Sequence, residues 1–180
     1  MSYLTESQLR EYSNRLRYDR VALANTKSHD VLAQVTIFLS HSSRDRELAQ
    51  GLVYYLASFG IAVYVDWNDS DLPRVTNRET AERLKAKIKS NNLFMILATK
   101  SALESKWVPW EVGIADQCKG EQSILLVPVA DASGRFDGSE YLQLYRHVES
   151  ATAGGFGVFP PGQTNGVLLE QHVRAFVTVR

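Results

Sequence analysis

The feature that most constrains this chain is a change of rhythm at Val31. From there on, short, almost uninterrupted apolar segments alternate with stretches of helical periodicity. Val35-Thr36-Ile37-Phe38-Leu39, Ile61-Ala62-Val63-Tyr64-Val65, Leu93 to Ala98 and Ile124 to Val129 are each too short for a helix and too continuously apolar for a half-exposed strand. Between them lie three amphipathic helices. One runs from Asp45 to Phe59, with Leu48, Leu52, Leu56 and Phe59 on one face and Gly60 as its stop. The next follows a capping box, Thr76-Asn77-Arg78-Glu79, and turns Ala81, Leu84 and Ile88 inward. The last spans Trp107 to Cys118. Strands buried on both faces and separated by helices require a mostly parallel sheet with helices on either side.

With about five strands, the expected architecture is α/β, a flavodoxin-like doubly wound parallel sheet of order 2-1-3-4-5. Pro128 cannot donate to a ladder, so it belongs near its strand's end or at an edge. Beyond Ala130 the pattern weakens. Asp131 to Gly138 reads as loop, Glu140 to Tyr145 as a short helix and Arg146 to Glu149 as a short strand; Gly154 to Gly162 is rich in Gly and Pro, and Val167 to Val177 reads as a final helix. Residues 1–30 differ from the rest. Thr5-Glu6-Ser7-Gln8 is a capping box, followed by Leu9, Tyr12, Leu16 and Leu23 at helical spacing. The expectation is an N-terminal amphipathic helix from about Glu6 to Leu23 with a linker from Asn25 to Asp30, packed on the domain or on another subunit, and a main domain over 31–180.

Bulk properties exclude several functions. Lys+Arg and Asp+Glu both total 20, so the net charge is zero, and no global field favours nucleic acid or an anionic membrane. The single cysteine, Cys118, rules out an internal disulfide and fits a reducing, cytoplasmic setting; late in its helix, it reads as packed rather than reactive. MSYLTESQLR lacks the apolar core of a signal peptide, and no apolar run is long enough to span a bilayer. His29, His41, His147 and His172 show no metal-ligand spacing, and Gly154-Gly155-Phe156-Gly157 is no dinucleotide fingerprint.

In a sheet of this order the ligand crevice opens between the first and third strands, where Ser40 to Arg44 meets Thr99 to Lys106. That puts Ser105-Lys106-Trp107-Val108-Pro109-Trp110-Glu111 on its rim. Trp107 and Glu111 are four apart and share a helical face, where an indole and a carboxylate suit a cationic, aromatic ligand. On spacing alone the blander reading leads: Glu is ordinary in a first helical turn, and tryptophans are ordinary in cores. Ser40-His41-Ser42-Ser43-Arg44-Asp45 offers hydroxyls and backbone N–H groups for a phosphate, with one of Ser42 and Ser43 expected to cap the helix. Asp66-Trp67-Asn68-Asp69-Ser70-Asp71 is acidic, but an EF-hand needs Gly and Glu where Asp71 and Asn77 stand, so it reads as an acidic loop at a crevice or interface and no metal is expected.

Three of these segments, in order and in register, resemble the Toll/interleukin-1 receptor (TIR) domain family. Val35 to Asp45 resembles its first box. Val63-Tyr64-Val65-Asp66 with the loop that follows resembles its second strand and BB loop. Ser101 and then Ser105 to Glu111 resemble its third-strand exit and Ser-x-Trp-x-x-x-Glu motif. The resemblance covers about Val31 to Val129, is faint over Ala130 to Arg180 and is absent from residues 1–30. It implies one of two classes: a non-catalytic adaptor acting by assembly, or an enzyme cleaving NAD+, as substrate rather than cofactor, at the nicotinamide–ribose bond. For the enzyme it implies Glu111 as catalytic residue, Trp107 beside the substrate, and His41, Ser42, Ser43, Asp66 and Asn68 lining the pocket. Many members carry a basic residue where Ser42 and Ser43 follow His41, so Arg44 is expected to replace it. The small chain is also similar to the signal-producing subunit of Thoeris-like antiphage systems, which implies TIR–TIR self-association and a separate effector protein that senses an ADP-ribose-derived product, linear by water capture or cyclic by internal capture. A phosphoacceptor receiver is disfavoured because the first strand ends in Ser40-His41 rather than an acidic pair, and a flavin carrier because no phosphate loop is recognisable.

Overall fold

The computed structural model describes residues 2–25, 35–59, 61–68, 78–131, 133–136, 138, 140–151 and 155–176. A short β1 (Leu4–Thr5) runs into α1 (Glu6–Asn25), and β2 (Thr36–Ser40) leads to α2 (Arg46–Ala57). Then come β3 (Ala62–Tyr64), α3 (Arg78–Ser90), β4 (Leu93–Ala98), α4 (Lys100–Leu103), α5 (Val108–Cys118) and β5 (Ile124–Ala130). The chain closes with β6 (Arg146–Ser150), β7 (Phe156–Phe159), β8 (Val167–Leu168) and α6 (Leu169–Arg174). The linker beyond Asn25, the boundary at residue 30, the stop at Gly60, Thr76 and Asn77 of the second capping box, the acidic run beyond Asn68, Gly154 and Val177 lie outside the described residues.

The sheet order is β3-β2-β4-β5-β6-β7-β8. Its first five members are parallel, which is the expected doubly wound order. Alternation along each strand sends side chains to two cores. Ile37, Leu39, Met95, Leu97, Leu125 and Val127 meet Leu9 of α1, Leu48, Leu52 and Leu56 of α2, and Leu169 and Val173 of α6. Phe38, Phe94, Ile96 and Leu126 meet Leu84 and Ile88 of α3 and Val108, Val112 and Ala115 of α5.

Three features depart from the sequence-based expectation. β7 and β8 extend the sheet antiparallel, where a Gly- and Pro-rich stretch and the start of a helix were expected. The strand Phe156-Gly157-Val158-Phe159 is buried throughout, and a Cβ on Gly157 would stand 2.9 Å from the Phe159 ring and 3.4 Å from the Val167 carbonyl, so glycine lets β8 approach. The final helix is correspondingly short. The second departure is β1. Pro128 lies two residues before the end of β5; β6 pairs with Leu125 and Leu126, and past Pro128 β1 takes up the pairing, Leu4 against Val129 and Thr5 against Ala130. The Ser150 N–H donates to the Ser2 carbonyl at 2.9 Å and joins this segment to β6 as well. The third is Cys118, which is exposed rather than packed: α5 buries Val108, Glu111, Val112 and Ala115, and Cys118, although seven residues on from Glu111, is the last residue of the helix and lies past its buried part.

The N-terminal capping box forms reciprocally. The Gln8 N–H donates to Thr5 Oγ1 at 3.3 Å, and the Thr5 N–H donates to Gln8 Oε1 at 2.9 Å. α1 then packs against α2, with Leu9 fully buried. Thr5→Ala removes one half of that exchange and is expected to cost about 1 kcal/mol, read as a fall of roughly 2–4 °C in Tm.

Candidate active site

The site is built where β2 ends. Ser40 is the last residue of β2 and shares the parity of Phe38, so its side chain faces α5 rather than α2. On α5, Glu111 lies in the inward stripe with Val108, Val112 and Ala115. The two meet: Ser40 Oγ donates to Glu111 Oε2 at 2.5 Å, with Ser40 1% and Glu111 7% exposed. Glu111 is therefore no solvent-facing helix-start filler, which was the leading reading from spacing alone. Burial pushes its carboxyl up to about 8; the Ser40 hydrogen bond works against that shift, and the charge of Asp66 adds to it.

The start of α5 is set by Ser105, whose hydroxyl accepts from the N–H groups of Trp107 at 3.2 Å and Val108 at 3.4 Å. Pro109 falls in the first turn, where it forfeits no helical hydrogen bond. The Trp107 carbonyl accepts from the Glu111 N–H at 2.9 Å, so indole and carboxyl are one turn apart. Trp107 is half-buried and meets Trp110 edge-on, ring centres 5.3 Å apart.

The opposite wall comes from the ends of β2 and β3. His41 Nδ1 donates to the Leu39 carbonyl at 3.2 Å, which leaves Nε2 facing Asp66 Oδ1 at 3.7 Å. Burial pushes the His41 ring down, against the opposing pull of the Asp66 charge. Trp67 packs edge-on against His41, centres 4.5 Å apart, and the Arg46 guanidinium lies 5.3 Å from the Trp67 ring. Asp45 is buried in the turn Ser43–Asp45 and accepts from the Thr99 hydroxyl, which also caps α4 by accepting from the Ala102 N–H at 3.0 Å. This contact ties the β2 exit to the β4 exit, the two loops that frame the crevice.

Of the residues singled out from sequence, Glu111, His41 and Asp66 converge around Ser40. Ser42 is buried and spent as a cap, accepting from the Arg44 N–H at 3.3 Å. Ser43 and Arg44 are exposed, and Arg44 pairs with Glu104 at 3.4 Å. Asn68 closes the turn Asp66–Asn68, and its side chain lies outside the described atoms. Sequence reasoning named Ser40 and the start of the loop that holds Trp67, but missed the Ser40–Glu111 contact, the packing of Trp67 on His41 and the Asp45–Thr99 tie. The first was findable, since Ser40 is a polar residue at the buried end of a strand that is apolar apart from Thr36 at its start; Trp67 and Thr99 carry no comparable signal. Among the described residues no cluster of three His, Cys, Asp or Glu could hold a metal, and no helix is long and apolar enough to cross a membrane.

A buried carboxyl with the charge of the exposed Asp66 near it suits a cation, which would draw Glu111 toward its carboxylate form. Comparisons with known proteins bear on which cation. Residues 37–154 match the family described as TIR domain. A Bacillus cereus (strain MSX-D12) protein named as a probable 3′ cyclic ADP-D-ribose synthase, ThsB′, is 35% identical over 128 residues, covering 70% of this chain and 66% of that protein. A Cytobacillus dafuensis protein named, also provisionally, as the cyclic ADP-D-ribose synthase TIR2 is 26% identical over 117 residues, covering 56% of this chain and 29% of that protein. The match thus spans just under two thirds of the first relative and less than a third of the second.

Proposed function

This chain belongs to the TIR domain family, and on that premise we propose that it cleaves NAD+ at the nicotinamide–ribose bond to make an ADP-ribose-derived signal. The observation that carries the reading is the buried Glu111 carboxyl, held by Ser40 at the crevice between β2 and β4. Nicotinamide in NAD+ is already cationic and leaves as a neutral molecule, so no acid need protonate it. The ribose C1′ develops oxocarbenium character as the bond breaks. A carboxylate placed there stabilises that charge or holds the ribose hydroxyls. We assign Glu111 as catalytic residue, with Trp107, His41, Asp66 and Asn68 as pocket residues and Ser43 and Arg44 at the exposed rim; Ser42 shapes that loop as its cap. The names of both relatives support this substrate and favour internal capture, which gives a cyclic product. We extend the reading to self-association through TIR–TIR contacts, to a separate effector that senses the product, and to a role in antiviral defence.

Incubation with NAD+ and mass spectrometry of the products tests the core of this. Nicotinamide and an ADP-ribose-derived product, one water lighter than ADP-ribose if cyclic, are expected. No loss of NAD+ at any protein concentration, crowded solutions included, would leave the adaptor reading instead. Trp107→Ala separates cleavage from capture. With the indole gone, the folded substrate loses its brace, and the cyclic-to-linear ratio is expected to fall about tenfold or more while nicotinamide release persists.

A further inference from the structure

We propose that Ser40 is the positioning residue of this site: its hydroxyl orients the Glu111 carboxyl toward the crevice and favours the charged form that the cationic substrate needs. The inference rests on the NAD+-cleaving reading and names the residue through which its carboxylate is set.

The geometry is specific. Ser40 stands at the one place where the last β2 side chain on the α5 face meets the inward stripe of α5 a turn after its start. Phe38, two residues earlier on the same face, lies in an apolar cluster with Phe94 and Val112. An apolar residue at position 40 would extend that cluster and leave Glu111 facing hydrocarbon. The hydroxyl instead donates across 2.5 Å to Oε2, and among the described residues it is the hydrogen-bond donor that Glu111 has. A short O–H donor to a carboxyl oxygen binds the carboxylate better than the neutral acid, so it opposes the effect of burial. The charged group facing Glu111 is Asp66, on the turn after β3, and its effect is opposite to that of Ser40. His41 in turn faces Asp66 at 3.7 Å. Ser40 is therefore the neighbour that draws Glu111 toward charge, while Asp66 and desolvation hold it back.

A serine that merely satisfied its own hydroxyl would predict something else. Ser40→Ala would then lower stability and leave the ionisation of Glu111 and the chemistry per folded molecule unchanged. The positioning role predicts that Ser40→Ala moves the Glu111 titration midpoint up by about one pH unit, the size of one hydrogen bond to a charged group. It also predicts that kcat at neutral pH falls about tenfold with KM little changed, and that Ser40→Thr, which keeps the hydroxyl, restores both.

The experiment is a carboxyl titration of the whole chain without substrate, by 13C NMR of labelled glutamate, with Glu111→Gln identifying the resonance. Ser40→Ala, Ser40→Thr and the unaltered protein are compared, and NAD+ turnover is followed across the same pH range. A midpoint raised in Ser40→Ala and restored in Ser40→Thr, with turnover following it, supports the proposal. An unmoved midpoint in folded Ser40→Ala overturns it whatever the activity does. If Ser40→Ala does not fold, Ser40→Thr and Ser40→Cys replace it; a midpoint identical in Ser40→Cys, whose thiol is a weak donor, and in Ser40→Thr is then the overturning result. A midpoint that moves in a protein that never consumes NAD+ would overturn the NAD+-cleaving reading and this role with it, and leave only the Ser40–Glu111 contact.

Discussion

Glu111→Gln is expected to make the protein more stable and to abolish nicotinamide release. The two outcomes have one cause. Burial raises the Glu111 carboxyl from 4.5 to about 8 in the folded chain. Between those values the folded state holds a proton that the unfolded state has lost, so stability falls as pH rises through that window. Gln carries no such penalty, keeps the shape of the side chain and still offers an oxygen to the Ser40 hydroxyl. At pH 7 the variant is expected to gain on the order of 3 kcal/mol. The gain should vanish near pH 4 and grow toward pH 8, which thermal melts across pH will show. Activity moves the other way, since Gln cannot become an anion opposite a developing oxocarbenium ion, and a loss of about a thousandfold or more is expected. A Glu111→Gln variant that melts lower than the parent at pH 8 would mean that the carboxyl is charged and paired at rest, and would sink this account. One that turns over NAD+ at the parental rate would remove Glu111 from the chemistry.

How much of this could be read beforehand follows from the range of the interactions involved. The parallel core was legible because Leu93 to Ala98 and Ile124 to Val129 are apolar without interruption, and only two covered faces explain that. The rim position of Ser105 to Glu111 followed from strand order alone. Burial of Glu111 was legible as well, since 108, 111, 112 and 115 form one helical stripe, a stronger signal than its four-residue spacing from Trp107. What could not be read depends on contacts distant in sequence. β1 is two residues long and has no pattern of its own; it exists because β5 offers it an edge past Pro128. β7 hides in a stretch rich in Gly and Pro because Gly157 serves packing against β8, not a turn. Thr99 and Asp45 look like ordinary capping residues, and 54 positions separate the two ends of the hydrogen bond that joins the two crevice loops.

The position of α1 rests on an equally distant contact and gives the second large expectation, which concerns two glycines in helices. A Cβ added at Gly51 of α2 would lie 1.9 Å from the Leu9 carbonyl oxygen and 2.8 Å from its carbon. Both are backbone atoms of α1, so no rotamer relieves the clash, and the two helices must part by well over an ångström. Gly113 of α5 is exposed, and a Cβ there meets nothing within 4 Å. Alanine is the better helix former at either place by about 1 kcal/mol. At Gly113 nothing opposes that, so Gly113→Ala is expected to raise stability by about 0.5–1 kcal/mol. At Gly51 the clash wins: overpacking costs about 1–3 kcal/mol, and parting the helices also withdraws Leu9 from the core that it fills with Leu48 and Leu52. Gly51→Ala is therefore expected to lose about 2–4 kcal/mol net, with the loss seen first as faster amide exchange in α1 and β1. Opposite signs for the same substitution in two helices of one chain would tie residues 2–15 to the body of the fold. Equal, mildly stabilising effects at both sites would mean that α1 does not rest on α2 in solution, and would return the N-terminal helix to the other role open to it, contact with a second subunit.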